Sequence, residues 1–274
     1  MRTPITYYGG KQQLASVILG MIPSHKVYCE PYFGGGAIFF AKGKSYLEVI
    51  NDIDNRIITF YEVCQDAVLF RQLAEKVQHT LNSEAEFIRA GKIWDNPSQA
   101  RSSVDIAWAV WLQCNLGYGG SPDGGWKWDN GTSGSHSGVV MDGYRHQFTQ
   151  KLHERLKHVQ ISCRDAIKVI EQRDTEDTFF FLDPPYPGCI QKHYSGFNNE
   201  NFEQLLNLLT GIKGKFILCN FSSQLLNRYI KENGWNIEVR DMPLRVANRI
   251  TKGTKRKQEV MVYNYNLEPK LFEL

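Results

Sequence analysis

A rigid tetrapeptide, Asp183-Pro184-Pro185-Tyr186, follows an apolar stretch over residues 178–182 that is typical of a buried strand. Proline fixes its own φ and keeps the preceding residue extended, so the polar groups of this segment are held in place. The Asp183 carboxylate and the Pro184 carbonyl can accept the two N–H groups of an exocyclic amine, while Tyr186 stacks on the face of its base. The tetrapeptide therefore predicts methyl transfer to the amino group of a nucleobase, a weak nucleophile that proximity to an electrophilic methyl group would assist.

A second set of residues suits a nucleoside cofactor. Residues 27–30 are predicted as a strand that runs into Glu30-Pro31-Tyr32-Phe33-Gly34-Gly35-Gly36, and residues 46–51 as a strand that ends at Asp52. Three glycines allow a tight turn and a close approach of the backbone to a ligand. An acidic side chain at the end of the next strand can accept hydrogen bonds from ribose hydroxyls. The structural alternatives are an ordinary glycine turn, a helix-capping aspartate and a capped Pro-Pro turn.

These groups must be positioned by strands that alternate with helices. Hydrophobic spacing predicts helices over residues 53–64, 103–114, 144–157, 166–172, 201–209 and 223–231. It predicts strands over residues 27–30, 46–51, 159–162, 178–182, 216–220, 235–240 and 258–265. Alternation of this kind favours the α/β class, with a doubly wound, mostly parallel sheet covered on both faces. Such sheets bind ligands beyond the carboxyl ends of their strands, where the residues singled out above lie.

Composition excludes several other classes of protein. The chain has 274 residues, 42% hydrophobic and 22% charged, which is typical of a folded domain with a sizeable core. The apolar runs fall short of the roughly 18 residues of a membrane span, and no signal-peptide pattern begins the sequence, so we expect a cytoplasmic protein. The six cysteines form no Cys-x-x-Cys pair and the histidines match no zinc spacing, so we expect reduced, mostly buried thiols and no metal.

Positive charge is concentrated in one run. The net charge is only +3, yet residues 245–257 contain six cations and no acid, so the rest of the chain is net negative. Clustered cations are what a protein needs to neutralise the phosphates of a nucleic acid. A solvated basic loop is the alternative.

A second unusual segment, residues 117–138, holds eight glycines in 22 residues and is predicted as a long loop or hairpin set without a helix.

Taken in order, these motifs resemble those of the DNA adenine-N6 methyltransferases of the DNA adenine methylase type, over almost the whole chain. In that family the cofactor motif comes first, and target recognition lies between the glycine loop and the catalytic tetrapeptide. The matching segments are Tyr7-Tyr8-Gly9-Gly10-Lys11, the glycine turn 30–36, Asn51-Asp52, Asp165, the tetrapeptide 183–186 and the segment 259–265.

The resemblance implies a Rossmann-like methyltransferase that uses S-adenosylmethionine and holds an inserted target-recognition region. Residues 1–65 and 159–274 would form the catalytic domain, and residues 66–158 the insertion. Asp183, Pro184, Pro185 and Tyr186 would be catalytic. The implied cofactor-binding residues are Tyr7, Tyr8, Gly10, Lys11, Glu30, Pro31, Phe33, Gly34, Gly35, Gly36, Asp52, Asp165 and Asp183. Asp52 would take the ribose, Asp165 would lie near the cofactor's adenine, and Lys11 contacts DNA instead in some relatives.

Double-stranded DNA is the implied partner, with the target base flipped out of the helix. The predicted DNA-binding residues are Lys11, Trp126, Lys127, Trp128, Arg145, Arg249, Lys252, Lys255, Arg256 and Lys257. The aromatic and basic residues of the glycine-rich loop could equally pack against the body of the protein. Relatives that methylate GATC carry an Asn-Arg-x-x-Phe-Asn-Gly type segment, whereas this chain has Asn115-Leu116-Gly117-Tyr118-Gly119-Gly120, so the target sequence does not follow. A cognate restriction endonuclease is a possible partner, and the oligomeric state is open.

Three other functions compete with this hypothesis. The same chemistry could act on cytosine N4 or on an RNA adenine. A nicotinamide-dependent oxidoreductase could use the glycine turn, but the turn lacks the Gly-x-Gly-x-x-Gly order and hydride transfer gives the tetrapeptide no role. A catalytically silent DNA-binding module would leave Asp183 dispensable.

Overall fold

Seven strands lie in the part of the chain that this computed structural model describes, namely residues 1–7, 9–118, 121–122, 124–129, 136–187, 197–243 and 256–267. They are β1 (Val27–Glu30), β2 (Leu47–Asn51), β3 (Gln160–Ser162), β4 (Thr178–Leu182), β5 (Lys215–Phe221), β6 (Asn236–Pro243) and β7 (Arg256–Tyr263). One sheet contains them in the order β3-β2-β1-β4-β5-β7-β6. The pairs β1/β4, β2/β3 and β4/β5 are parallel, whereas β7 runs antiparallel to β5 and β6. The predicted α/β class with a mostly parallel sheet is confirmed.

The strand order reverses between β1 and β4. From β1 the sheet continues to β2 and β3, and from β4 it continues to β5 in the other direction. At such a reversal, the connections leave neighbouring strands in opposite directions and open a crevice beyond their carboxyl ends, where ligands bind. The register pairs Cys29 with Phe180, so the residues that follow β1 and β4 emerge at the same edge. This edge carries the predicted tetrapeptide.

Eleven α-helices lie in the described ranges. They are α1 (Ala15–Leu19), α2 (Ala37–Ala41), α3 (Asn55–Gln65), α4 (Ala67–His79), α5 (Glu84–Asp95), α6 (Ser103–Leu116), α7 (Ser137–Arg145), α8 (Gln150–Leu156), α9 (Ala166–Arg173), α10 (Asn199–Thr210) and α11 (Gln224–Asn233). Several begin at a residue whose side chain accepts from the first-turn amides, as Asp54 does for α3, Asp66 for α4 and Ser223 for α11. Such caps satisfy amides that have no partner within the helix.

The chain clusters into two compact units. The first contains Met1–Gly20, Phe33–Lys44 and Glu48–Arg164. Its core is built around α6, which is buried on all sides from Ala107 to Leu116 and packs against α3, α4 and α5. A helix that is apolar all round is expected only in a protein interior or a membrane. The predicted insertion, residues 66–158, lies wholly within this unit, and its boundaries stay a prediction.

The second unit contains Met21–Tyr32, Ser45–Leu47 and Asp165–Leu274. Its core is built around β4, in which all five residues are buried. A strand between two parallel neighbours is covered on both faces and therefore reads as a continuous apolar run. Helices α10 and α11 of this unit pack against each other, and the Tyr229 hydroxyl donates to Asn207 Oδ1 at 2.5 Å between them.

Two predictions of local structure are wrong. Residues 144–157 form no single helix, because α7 ends at Arg145 and α8 begins at Gln150. Between them, the Phe148 ring packs into an aromatic cluster with Phe60, Phe70 and Trp111, which takes the chain out of the helical path. Residues 117–138 also contain the start of α7, which His136 caps by accepting the amide of Gly138.

The other predicted elements are present, with ends that differ by at most three residues. Hydrophobic spacing missed α1, α2, α4 and α5.

Among the described cysteines, Cys163 is exposed and the remaining four are buried free thiols, while Cys189 lies outside the described residues. No helix in the described ranges is long and apolar enough to cross a membrane, and no group of three metal-ligating side chains occurs there.

Candidate active site

The tetrapeptide lies within the second unit, at the switch point of the sheet, which is where the strand order reverses between β1 and β4. Asp183 follows the last residue of β4, and Glu30 ends the neighbouring strand β1. Glu30 is only 2% exposed and accepts a hydrogen bond of 2.7 Å from the Tyr28 hydroxyl. Pro184 is buried, whereas Asp183 is partly exposed. The proline therefore anchors the segment in the protein and leaves the carboxylate within reach of a ligand.

Two neighbours hold Tyr186 in place, Glu259 at its hydroxyl and Phe221 at its ring. Its hydroxyl donates to Glu259 Oε1 at 2.5 Å and lies 3.5 Å from Asp183 Oδ1. The ring packs edge-on against Phe221, with centroids 4.2 Å apart. Burial, with the negative charges of Asp183 and Glu259, raises the pKa of the Tyr186 hydroxyl well above its usual value. The phenol therefore keeps its proton and acts as a hydrogen-bond donor at neutral pH.

Residues 33–36 of the glycine turn belong to the first unit and make close contacts with two aromatic rings. Gly34 and Gly36 have φ angles of 47° and 64°, in the left-handed region. A Cβ on Gly34 would lie 2.8 Å from the Tyr7 ring, and one on Gly36 would lie 2.4 Å from the Phe33 ring. Only glycine satisfies both the backbone conformation and the space. The structure thus brings Tyr7, Phe33 and the predicted glycines together.

Asp52 is joined to this turn. Its Oδ2 accepts the Gly34 amide at 2.8 Å, and its Oδ1 accepts the Asp54 amide at 2.9 Å. Burial raises the pKa of the Asp52 carboxyl to about 6, although these backbone donors act in the opposite direction. The carboxylate is therefore solvated less well than its ionised form requires, and further donors would stabilise that form.

Pro31 and Asp165 are predicted cofactor residues that belong to the second unit. Tyr32, which is not among the predicted cofactor residues, follows Pro31, and its ring packs edge-on against Phe197 at 6.3 Å. Burial, and secondarily the negative charge of Asp165, raises the pKa of the Tyr32 hydroxyl. Asp165 is exposed and caps α9 by accepting the Lys168 amide at 3.2 Å. This capping role is structural, and the place of Asp165 near the cofactor's adenine stays a prediction.

The N-terminal motif is anchored inside the first unit. Asn115 accepts the Thr6 amide at 2.8 Å and donates to the Pro4 carbonyl at 3.2 Å. Lys11 is only 5% exposed and donates to the Gly9 carbonyl at 2.9 Å. A Cβ on Gly10 would lie 3.0 Å from the Tyr7 carbonyl. Tyr8 lies outside the described residues. Lys11 is therefore buried within the first unit, and its cofactor and DNA contacts both stay predictions.

A family model for D12 class N6 adenine-specific DNA methyltransferases matches residues 7–257. This match includes the glycine turn, Asp52 and the tetrapeptide. The chain belongs to this family. The predicted adenine methyltransferase class is thereby confirmed, and S-adenosylmethionine is the cofactor that the family assignment supports.

Curated relatives agree with the family. The D12-class chain is 24% identical over 302 residues to Modification methylase StsI of Streptococcus sanguinis, matching 100% of this chain and 44% of that protein. The chain thus spans less than half the length of that relative. It is 25% identical over 295 residues to Type II methyltransferase M.MjaIII of Methanocaldococcus jannaschii, matching 95% of this chain and 98% of that protein. Among solved structures, precorrin-6y C5,15-methyltransferase from Geobacter metallireducens GS-15 is 8% identical, with a TM-score of 0.42 and coverage of 96% and 97%.

The predicted DNA contacts in the glycine-rich region of this D12-class chain occupy different environments. Trp128 is 68% exposed, and Lys127 is exposed with its amide bonded to the Leu116 carbonyl at 2.9 Å. Trp126 forms an antiparallel bridge with Gly117 and is partly buried. Arg145 bonds to Asp142 on its own helix and to the Thr80 carbonyl at the end of α4. Trp128 and Lys127 therefore present their side chains to solvent, whereas Arg145 is engaged within the unit.

The basic run lies mostly outside the described residues. Arg249, Lys252 and Lys255 belong to that undescribed part. Arg256 and Lys257 begin β7, and only their backbone is described, in register with Pro243 and Met242. Their DNA contacts stay a prediction.

Glu259 and Phe221 are parts of the site that sequence reasoning missed. Glu259 belongs only to the terminal segment 259–265 of the family pattern, and no predicted motif contains Phe221. The available signal was an acid directly before the apolar run Val260 to Val262, which is an unfavourable place for a charge without a partner. The antiparallel register of β5 and β7, which pairs Phe221 with Glu259, explains the position.

Proposed function

We propose that this protein is a site-specific DNA methyltransferase that transfers a methyl group from S-adenosylmethionine to N6 of an adenine flipped out of duplex DNA. The observation that carries the proposal is the rigid Asp183–Tyr186 segment at the switch point of the sheet, with Glu30 at the end of the neighbouring strand. Family membership supports adenine as the acceptor.

The residues around the glycine turn fit the nucleoside part of the cofactor. Backbone amides of Asp54, Gly34 and Ile53 already lower the pKa of Asp52, yet burial keeps that pKa at about 6, so a further donor would stabilise the carboxylate. A ribose hydroxyl would supply such a donor. Phe33 and the three glycines would line the methionine portion, with Tyr7 packed against Gly34 and Gly35. When bound, the cofactor supplies an electrophilic methyl group on a sulfonium.

The tetrapeptide would hold the acceptor. The Asp183 carboxylate accepts one N–H of the adenine amine and the Pro184 carbonyl accepts the other, which favours the pyramidal nitrogen needed for attack. Pro185 keeps the backbone from relaxing. Tyr186, fixed by Glu259 and Phe221, offers a ring face for stacking of the flipped base. Alignment of amine and methyl group then supplies most of the acceleration.

The partners follow from this chemistry. Duplex DNA would be held by Lys127, Trp128 and the basic run 245–257, because phosphate contacts fix register without reading sequence. The names of the two curated relatives, a modification methylase and a type II methyltransferase, support a place in a restriction-modification system with a cognate endonuclease. The cytoplasmic location stays a prediction.

The test is expression of the chain, and of an Asp183→Ala variant, in cells that lack DNA methylation. Single-molecule sequencing should detect N6-methyladenine within one defined sequence for the wild-type chain only. Methylation of cytosine N4, or of RNA and not DNA, would replace the proposed acceptor. A folded chain that binds S-adenosylmethionine but modifies no nucleic acid would refute the proposal.

A further inference from the structure

Glu259 is an acid in a buried position of the second unit. It is 9% exposed and directly precedes three buried apolar residues of β7. Its register partners are Phe221 on β5 and Arg240 on β6, so the three side chains lie on one face of the sheet. The Arg240 guanidinium forms an ion pair of 2.7 Å with Glu238 on its own strand. A carboxylate in such a place is unfavourable unless it accepts strong hydrogen bonds. Its position therefore requires an explanation beyond packing of the strands.

The hydroxyl of Tyr186 supplies one such bond. It donates to Glu259 Oε1 at 2.5 Å, while the distance to Asp183 Oδ1 is 3.5 Å. A phenol has one hydrogen and can donate it fully to one acceptor only. The shorter distance favours Glu259 over Asp183 as the acceptor of this hydrogen. Of the two carboxylates near the Tyr186 hydroxyl, Glu259 is thus the nearer acceptor.

We propose that Glu259 is a positioning residue for methyl transfer. By accepting the Tyr186 hydrogen, it sets the ring for base stacking and keeps that hydroxyl from occupying the Asp183 oxygen that receives the target amine. This inference rests on the proposed function and adds a specific role for a residue outside the tetrapeptide. Loss of the Glu259 acceptor would turn the Tyr186 hydroxyl towards Asp183, so the tyrosine itself would become inhibitory.

Three variants separate this role from a structural one. Glu259→Gln keeps an oxygen that accepts from Tyr186 and should retain most of kcat. Glu259→Leu removes the acceptor and should lower kcat by about 100-fold, with the Kd for S-adenosylmethionine within about twofold of wild type. The double variant Glu259→Leu/Tyr186→Phe removes the competing hydroxyl as well, and we expect it to recover part of kcat over Glu259→Leu. A structural role predicts that the second substitution adds a further loss.

Glu232 on α11 offers a matched control in the same unit. It is exposed and lies outside the tetrapeptide, the glycine turn and the strands β5, β6 and β7. Glu232→Leu should leave kcat unchanged. Wild-type, Glu259→Leu and double-variant proteins are compared by single-turnover methyl transfer to duplex DNA, with thermal unfolding as the check on folding.

A crystallographic measurement keeps the inference independent of activity. In Glu259→Leu, the distance between the Tyr186 hydroxyl and Asp183 Oδ1 should shorten from 3.5 Å to a hydrogen bond of about 2.7 Å. An unchanged distance, or a double variant that is slower than Glu259→Leu, would overturn the proposed role. A wild-type protein without methyl transfer would instead refute the proposed function, and the distance would still decide the position of the hydroxyl.

Discussion

The amide of Gly34 donates a hydrogen bond of 2.8 Å to Asp52, which joins the turn after β1 to the aspartate after β2. The Gly34 carbonyl accepts from the Tyr61 hydroxyl at 3.1 Å, so both backbone polar groups of this glycine are satisfied within the first unit. The peptide at Gly34 thereby orients the proposed ribose-binding carboxylate. A change at Gly34 should therefore affect cofactor binding through Asp52.

Gly34→Ala should destabilise the protein and weaken cofactor binding. The new Cβ would lie 2.8 Å from the Tyr7 ring, and alanine would have to adopt a φ of 47°. Strain and overlap together should lower the free energy of unfolding by about 2 to 4 kcal/mol. Gly43→Ala in the same unit is the control, because nothing lies within 4 Å of its Cβ. Chemical denaturation and titration with S-adenosylmethionine measure both effects, and equal stability of the two variants would contradict the prediction.

Cofactor affinity should depend on the ionisation of Asp52. Its pKa is about 6, and ribose hydroxyls donate best to the ionised form. The Kd for S-adenosylmethionine should therefore increase as pH falls through about 6. Asp52→Asn should weaken binding about tenfold at pH 8 and abolish this pH dependence. Calorimetric titration between pH 5 and 8 measures both, and a variant that still follows the wild-type profile would assign the titration to another group.

In the absence of cofactor, the free energy of unfolding should decrease as pH rises, whereas the affinity for the cofactor should increase. The folded pKa of Asp52, about 6, exceeds the value of about 3.9 expected in the unfolded chain, so folding favours the protonated carboxyl. Its contribution to the free energy of unfolding is present below pH of about 4 and is lost as pH rises through about 6. The Tm of Asp52→Asn relative to wild type should therefore rise from pH 4 to 8. A difference that stays constant or falls would contradict the assigned pKa.

Much of this fold could be predicted from local pattern. The bounds of β1 and β4 agree with the predicted strands because both are short apolar runs that end at proline or at Asp183-Pro184. The break between α7 and α8 could not be predicted, because it depends on where the Phe148 ring packs against Phe70 and Trp111. Hydrophobic periodicity reports one face of a helix and contains no information on such distant contacts.

The site shows the same division. The tetrapeptide and the glycine turn are each a continuous stretch of the sequence, so each could be recognised from the sequence alone. The bond between Tyr186 and Glu259 joins residues that are 73 positions apart, and it depends on the insertion of β7 beside β5 with one particular register. Sequence spacing alone does not fix a strand order or a register.

Asp183 should be required for catalysis and largely dispensable for cofactor binding. Asp183→Ala removes one acceptor of the target amine, so kcat should fall by at least about 100-fold. Asp177→Ala is the matched control at the other end of β4, where an exposed ion pair of 2.7 Å with Lys26 contributes little to stability. Transfer of labelled methyl groups and titration with cofactor separate the two effects. Activity of Asp183→Ala equal to that of the control would refute the mechanism.

Arg256 and Lys257 should contribute to DNA affinity without contributing to sequence preference. Their double replacement by glutamine should weaken binding alike for target and non-target duplexes and reduce the slope of log K against log salt by about 2. Lys213→Gln/Lys231→Gln is the control, because both lysines are exposed in the second unit outside the basic run. Fluorescence anisotropy at several salt concentrations gives the slopes. An effect confined to one target sequence would mean that these residues read bases.

Trp128 and Arg145 should separate DNA binding from stability within the glycine-rich region. Trp128 is 68% exposed, so Trp128→Ala should leave Tm unchanged while it lowers DNA affinity, since stacking on a base is worth about 1 to 3 kcal/mol. Arg145 bonds to Asp142 and to the Thr80 carbonyl, so Arg145→Ala should cost about 2 kcal/mol of folding stability. Its DNA affinity at a temperature where it is folded should stay near that of wild type. The reverse pattern, a stable Arg145→Ala with weakened DNA binding, would restore the arginine to the DNA contacts and leave Trp128 as an exposed loop residue.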